Sequence, residues 1–212
     1  MSDSLKNIYI EHHEAHRERG FSILKDTRGL LIKNIIGAGK KVLDIGCRDG
    51  ALTKFFSSSN TVLGIDIDES ALAEAKRSLG IETKSIDLNG NWSELEGRKF
   101  DAVVAGEVLE HLYFPDKVAE KVARHLVPGG VFVGSVPNAF SLKNRLRYLF
   151  GRKRYTPLSD PTHITQFHVD ELEGMLKKYF SRVTILGLGR YPTLAKICPG
   201  WFGFDLFFIC TL

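Results

Sequence analysis

The sequence predicts an α/β fold: a three-layer, doubly wound sheet of seven strands, mostly parallel, with an antiparallel last strand. Three observations point there. Short apolar runs alternate with helix-patterned segments from residue 41 to residue 136, the pattern of a parallel sheet with right-handed crossovers. The first run leads into a glycine turn, Asp44-Ile45-Gly46-Cys47-Arg48-Asp49-Gly50, and the second ends on an acid, Asp66. The chain closes with two strand-like runs, 182–188 and 205–212, with no helical pattern between them. That is a hairpin-like close.

Taken in order, residues 6–36 have helical character, with Ile23, Leu24, Leu30, Leu31 and Ile35 at helical spacing and Gly37 as a stop. Strand one spans Lys41–Ile45, and a helix is expected to start at 51–57. Strand two is 61–65. Asp68 has the chemistry of an N-cap for a helix carrying Ala71, Leu72, Ala75 and Leu79, ended by Gly80. Strand three is 81–86. Strand four, 100–105, is a continuous apolar run of the kind buried on both faces. A stripe of Val118, Val122 and Leu126 marks a helix stopped by Pro128-Gly129-Gly130, and strand five is 131–136. The last amphipathic helix is expected at 170–179. Residues 137–168 fit no sheet unit and form a basic, aromatic insertion, expected as an ordered cap.

A chain of 212 residues is a single domain, 1–212, with the N-terminal helical addition (6–36) and the insertion (137–168) as elaborations. Its three cysteines, Cys47, Cys198 and Cys210, are scattered and lack metal spacing. They imply a reducing compartment, expected to be cytoplasmic, and no structural zinc. The first residues lack the apolar core of a signal peptide, and no apolar run approaches the length of a membrane span. The formal charge of +4 is mild, whereas nucleic-acid binders concentrate a stronger bias on one face.

The glycine turn lets a ligand approach the backbone. Asp44 can hold a cationic amine, and Asp66, at a strand tip, can accept two hydrogen bonds from ribose hydroxyls. The spacing is Asp-x-Gly-x-x-x-Gly, not the Gly-x-Gly-x-x-Gly of nicotinamide dehydrogenases.

The segments Val42-Leu43-Asp44-Ile45-Gly46-Cys47, Gly64-Ile65-Asp66, Phe100-Asp101, Glu107-Val108-Leu109-Glu110-His111-Leu112 and Leu126-Val127-Pro128-Gly129-Gly130 together resemble class I S-adenosylmethionine-dependent methyltransferases. The resemblance is to the small-molecule branch that includes ubiquinone-biosynthesis O-methyltransferases and MetW-like proteins. It implies a Rossmann-like methyltransferase fold and S-adenosyl-L-methionine as cofactor, with S-adenosyl-L-homocysteine as product. It places Asp44, Gly46, Cys47, Arg48 and Gly50 around the methionine part. Asp66 then holds the ribose, with Ile67 on the adenine. Asp87 receives the adenine amino group beside Leu88, and Glu107 lies near the methionine end. One departure is Arg48, where the family has a middle glycine; its side chain must point outward or pair with an acid.

Methyl transfer proceeds largely by positioning, and a base is needed only for a protonated acceptor. His111 and His163 are the catalytic candidates; the competing roles are bracing the next helix for His111 and a loop hydrogen bond for His163. Tyr113 and Asn138, beyond strands four and five, are candidates for substrate contact, against simple loop packing. His12, His13 and His16 sit at helical spacing, which fits a solvated helix face better than a metal site. The expected activity is O-methylation of a small or lipid- or sugar-linked molecule; the alternative is a cofactor-binding accessory protein of MetW type. No Asn/Asp-Pro-Pro-Tyr/Phe motif marks methylation of a nucleic-acid base. The basic cluster Lys143, Arg145, Arg147, Arg152, Lys153 and Arg154 either attracts an anionic substrate or membrane surface or is a solvated charged face.

Overall fold

A computed structural model describes residues 24–212. Of the segment expected as an N-terminal helix, the described part is helical only from Lys25: Leu24 precedes the helix at a left-handed φ of 49° and is not part of it, and the earlier residues, with His12, His13 and His16, lie outside the described residues. Seven strands form one sheet in the order β3-β2-β1-β4-β5-β7-β6, flanked by helices. This is the Rossmann-like arrangement with a reversed strand inserted next to the edge. The chain divides into two compact units, which meet in sequence between Gly106 and Glu107.

In the first unit, α1 (Lys25–Ile36) buries Arg28, Gly29, Ile32 and Ile36 and ends on Gly37. Strand β1 (Lys41–Ile45) lies between β2 (Thr61–Asp66) and β4 (Phe100–Gly106), parallel to both. Val42, Leu43 and Ile45 of β1 are buried, as are Val103, Val104 and Ala105 of β4, as an apolar strand covered on both faces requires. Helix α2 (Glu69–Leu79) starts as its sequence dictates. Asp68 Oδ1 accepts from the amides of Ser70 and Ala71, and Gly80 closes the helix in the left-handed region. β3 (Glu82–Ser85) pairs with β2 in parallel.

The helix expected at 51–57 is absent. Two 3-10 turns, Thr53–Phe55 and Ser57–Ser59, fill the crossover instead. Three consecutive serines compete for backbone hydrogen bonds and weaken a helix. Asn60 then fixes the segment, accepting from the Lys40 amide and donating to the carbonyls of Gly37 and Phe56.

The second unit begins at Glu107. Helix α3 (Pro115–His125) ends earlier than its apolar stripe suggested, and β5 (Leu126–Pro137) starts at once and runs through Pro128-Gly129-Gly130. Val127 precedes a proline, which disfavours the helical region there. The insertion holds α4 (Leu142–Leu149) and a 3-10 turn, and α5 (Val169–Leu176) follows with a His168–Glu171 capping box. β7 (Asp205–Thr211) runs antiparallel to both β5 and β6 (Arg182–Leu188). Between β6 and β7 lie two short helices, α6 (Pro192–Ile197) and α7 (Pro199–Phe202), where no helix was expected. Each starts on a proline and is too short for a period to register in the sequence. Among the described residues, no helix is long and apolar enough to cross a membrane.

Candidate functional site: a carboxylate-lined turn and a buried histidine pair

The turn after β1 is held to the tip of β2. The amides of Gly46 and Cys47 donate to the carbonyl of Ile65, at 2.7 and 3.2 Å. The Arg48 amide donates to Asp66 Oδ2 and the Asp68 amide to Asp66 Oδ1, both at 3.0 Å. The Ile67 amide also bears on this carboxylate, which still has acceptor capacity beyond these backbone bonds. Gly46 and Gly50 have φ of 69° and 80°, and Arg48 adopts a left-handed φ of 48°. The family's middle glycine is thus explained by backbone conformation, and Arg48 adopts it as a non-glycine residue. Gly50 has a second constraint: a Cβ there would lie 2.5 Å from Leu79 Cδ1.

Two acids are buried in this turn. Asp44 accepts a 2.6 Å hydrogen bond from the Thr53 hydroxyl. Burial raises the Asp44 carboxyl to a pKa of about 7, against the Thr53 bond that lowers it and with help from the nearby Asp66 charge. Burial likewise raises Asp66, opposed chiefly by the backbone hydrogen bonds from Asp68 and Arg48. Carboxylates so far from water are stabilised by a cation. A ligand with an ammonium group and vicinal hydroxyls therefore fits this donor set, and a pyrophosphate does not.

The remaining first-unit candidates take different places. Cys47 is buried, and a Cβ on Gly64 would lie 2.5 Å from its Sγ. Cys47 can therefore offer a ligand only its backbone, and burial pushes its thiol well above the usual pKa. Ile67 is half-buried just past β2. Asp87 is exposed after β3 and caps its own turn through the Asn89 amide, while Leu88 is buried. Sequence reasoning missed Arg28, which is fully buried on α1. A Cβ on Gly106, at the end of β4, would lie 3.8 Å from its Nη1. The available signal was a charge on the apolar stripe, four residues before Ile32.

In the second unit, Glu107 has a φ of 61°. Its amide donates to the Ser135 carbonyl, and the Ser135 hydroxyl donates to its Oε1, both at 3.0 Å. A 3-10 turn, Leu109–His111, follows. The loop at 160–166 is fastened onto it: the Thr165 amide donates to the Glu110 carbonyl and the Thr165 hydroxyl to the Leu112 carbonyl, both at 2.9 Å.

His111 and His163 thereby meet, with ring centroids 4.9 Å apart in an edge-to-face arrangement. His111 Nδ1 lies 2.9 Å from the Thr162 carbonyl, so Nδ1 carries the proton and donates. Nε2 is then the basic nitrogen of the neutral ring, and it lies 3.9 Å from Glu110 Oε1. His163 Nε2 lies 3.6 Å from Asp160 Oδ2. Glu110, His111 and His163 bring one donor atom each within 4.8 Å of one another. Two imidazoles and a carboxylate can hold a proton, and are also a donor set suited to a divalent first-row cation. Sequence reading expected no metal and did not join Glu110 to this pair.

The two substrate candidates differ. Tyr113 is half exposed. Asn138 is buried, and its Nδ2 donates toward the carbonyls of Pro199, Gly200 and Gly203 at 3.2, 3.2 and 2.8 Å.

Known proteins resemble this chain in sequence and in fold. Residues 16–179 match the family model described as a methyltransferase domain. A ubiquinone biosynthesis O-methyltransferase from Pseudomonas fluorescens is 32% identical over 151 residues, covering 66% of this chain and 63% of that protein. A probable S-adenosylmethionine-dependent methyltransferase from Mycolicibacterium smegmatis is 32% identical over 144 residues, 66% of this chain and 51% of that one. The chain thus spans between half and two thirds of the length of these two relatives. The crystal structure of a SAM-dependent methyltransferase from Archaeoglobus fulgidus superposes with a TM-score of 0.70 at 19% identity, covering 96% of this chain and 99% of that one. The chain belongs to the class I S-adenosylmethionine-dependent methyltransferase family.

Proposed function

We propose that the protein transfers a methyl group from S-adenosylmethionine to an oxygen of a small or lipid- or sugar-linked acceptor. The observation that carries this reading is the pair of buried carboxylates, Asp44 and Asp66, on one glycine turn. The cofactor supplies a methyl group on a sulfonium, which needs no activation by the protein. Asp66 receives the ribose hydroxyls on its remaining acceptor sites. Asp44 neutralises the amino-acid ammonium and is itself kept ionised by it. Gly46, the Cys47 backbone, Arg48 and Gly50 shape the turn around the methionine part. Ile67, Asp87 and Leu88 serve the adenine. The free cysteines fit a reducing, cytoplasmic setting.

An acceptor hydroxyl must lose its proton on methylation. His111, with Nε2 basic and Nδ1 anchored, takes it, and His163 carries it onward toward Asp160. Tyr113, exposed after the 3-10 turn, contacts the acceptor. Oxygen as the acceptor atom is favoured by the relatives named ubiquinone biosynthesis O-methyltransferase.

Thermal shift tests the cofactor assignment: S-adenosylhomocysteine should raise the midpoint and NAD should not. Stabilisation by NAD alone overturns it. Turnover on a panel of phenols and catechols tests the rest. His111→Ala should lower kcat about 10²-fold or more with little change in cofactor affinity, and equal loss of both assigns His111 a structural role. Cofactor binding without transfer to any acceptor supports the accessory reading, to which the Arg48 departure also leans. Adding a chelator separates a proton from a metal ion at the histidine pair.

A further inference from the structure

The second unit presents an apolar and basic surface that the methyl-transfer reading does not use. Helix α4 exposes Leu146 and Leu149, and Phe150 and Tyr155 follow; the last three are each more than 70% exposed. Lys143, Leu146, Arg147 and Phe150 share one face of the helix by their three- and four-residue spacing. Helix α7 packs against α4. The α6–α7 segment adds Tyr191, Leu194, Ile197, Trp201 and Phe204, all exposed. Large apolar side chains gathered this way on a surface mark an interaction site.

Charge selects the occupant. From residue 121 to residue 159 there is no acid, while Lys143, Arg145, Arg147, Arg152, Lys153 and Arg154 fall inside that stretch. From residue 182 to residue 204 there is again no acid, with Arg190 and Lys196 among the exposed aromatics. The cations and rings are also paired. The guanidinium of Arg145 lies over Trp201 at 4.9 Å, that of Arg154 over Tyr155 at 4.8 Å, and that of Arg190 over Tyr191 at 5.8 Å. Tryptophan and tyrosine suit the headgroup layer, where one end of the ring is dry and the other wet. Arginines and lysines beside them are attracted to anionic lipid. A second copy of the chain would bring like charges together on this face.

We propose that α4, the 150–155 loop and the α6–α7 segment form a docking face for an anionic phospholipid bilayer. The protein lies on the membrane through this face: Leu149, Phe150, Trp201 and Phe204 enter the headgroup boundary and the arginines hold the lipid phosphates. Short helices and loop tips suffice for this kind of contact.

The test uses the full chain with phosphatidylcholine vesicles, with and without about one third phosphatidylserine (a fraction that makes the surface strongly anionic). Co-sedimentation should be strong with the anionic vesicles, weak with the neutral ones, and reduced by salt. Trp201 is exposed and Trp92 is buried, so a blue shift on binding should persist in Trp92→Phe and vanish in Trp201→Ala. The triple variant R152E/K153E/R154E and the double variant L149S/F150S, all at exposed positions, should each weaken binding at least tenfold while keeping the thermal midpoint. Equal binding to neutral and anionic vesicles, or undiminished binding of both variants, overturns the proposal. So does capture by soluble acidic protein with no vesicle binding. None of these readouts depends on cofactor, so their failure is separable from failure of the methyltransferase reading.

Discussion

The hydroxyl of Thr53 donates a 2.6 Å hydrogen bond to Oδ2 of Asp44, and both side chains are buried. One hydrogen bond is too little for an ionised carboxylate so far from water. The acid therefore holds its proton up to a pKa of about 7. Its ordinary value is 3.8, so the folded chain binds more protons than the unfolded chain between those limits. Stability of the ligand-free protein is then highest on the acid side of the window and falls as pH rises from about 4 to about 7, by about 4 kcal/mol at most from this group. Cofactor affinity should run the other way and rise through pH 7, because the ammonium pairs with the ionised form. Asp44→Asn should flatten the thermal-midpoint profile over this window and raise the midpoint at pH 8 while weakening S-adenosylhomocysteine. Thermal scans with and without that ligand at several pH values check both halves.

Arg48 is the second lever on this turn. Its backbone sits at a φ of 48°, where a Cβ is strained by roughly 1–2 kcal/mol. Comparing Arg48→Gly with Arg48→Ala isolates that strain, since both remove the charge and only alanine keeps the Cβ. The glycine variant should be the more stable by about 1 kcal/mol in urea titration, after allowing for the entropy glycine loses on folding. Equal stability would mean that the turn relaxes when the long side chain is gone. Calorimetry on the same two variants shows whether the guanidinium matters to the cofactor: its charge lowers the Asp66 pKa, so both variants should lose more affinity than the native chain as the pH is lowered.

Where the chain carries its own local chemistry, its structure was legible. Asp68 and Gly80 mark both ends of α2, and the apolar runs of β1 and β4 admit no other placement in an α/β chain. Gly46 and Gly50 were readable as a tight turn and Asp66 as an acid at the neighbouring strand tip, because a backbone conformation and a strand end coincide within one crossover. The 51–60 crossover was not readable: its apolar residues have helical spacing, but its serines and Asn60 settle the backbone through hydrogen bonds that leave no period. The histidine pair was half legible. His111 and His163 were each visible as candidates, but their meeting depends on the Thr165 bonds to the Glu110 and Leu112 carbonyls, which are tertiary.

Asn138 shows the same limit from the other side. Its place after β5 suggested substrate contact, yet its polar atoms already serve the backbone around it. Oδ1 accepts from the Phe140 amide at 3.1 Å, and Nδ2 spans the carbonyls of Pro199, Gly200 and Gly203. That turn has no slack: a Cβ on Gly203 would lie 2.6 Å from the Pro199 carbonyl oxygen and 2.9 Å from the Gly187 Cα. We assign Asn138 to positioning the α7 turn against the end of β5. Asn138→Ala leaves buried carbonyls and an amide without partners, at about 1–3 kcal/mol for each group stranded. The expected loss is therefore about 2–4 kcal/mol in urea titration. Asn138→Asp, equal in size but without the donors, should be at least as harmful, because it sets a carboxylate against three carbonyls. A substrate residue would behave differently, with KM rising and stability intact, and that result in both variants would return Asn138 to the acceptor site.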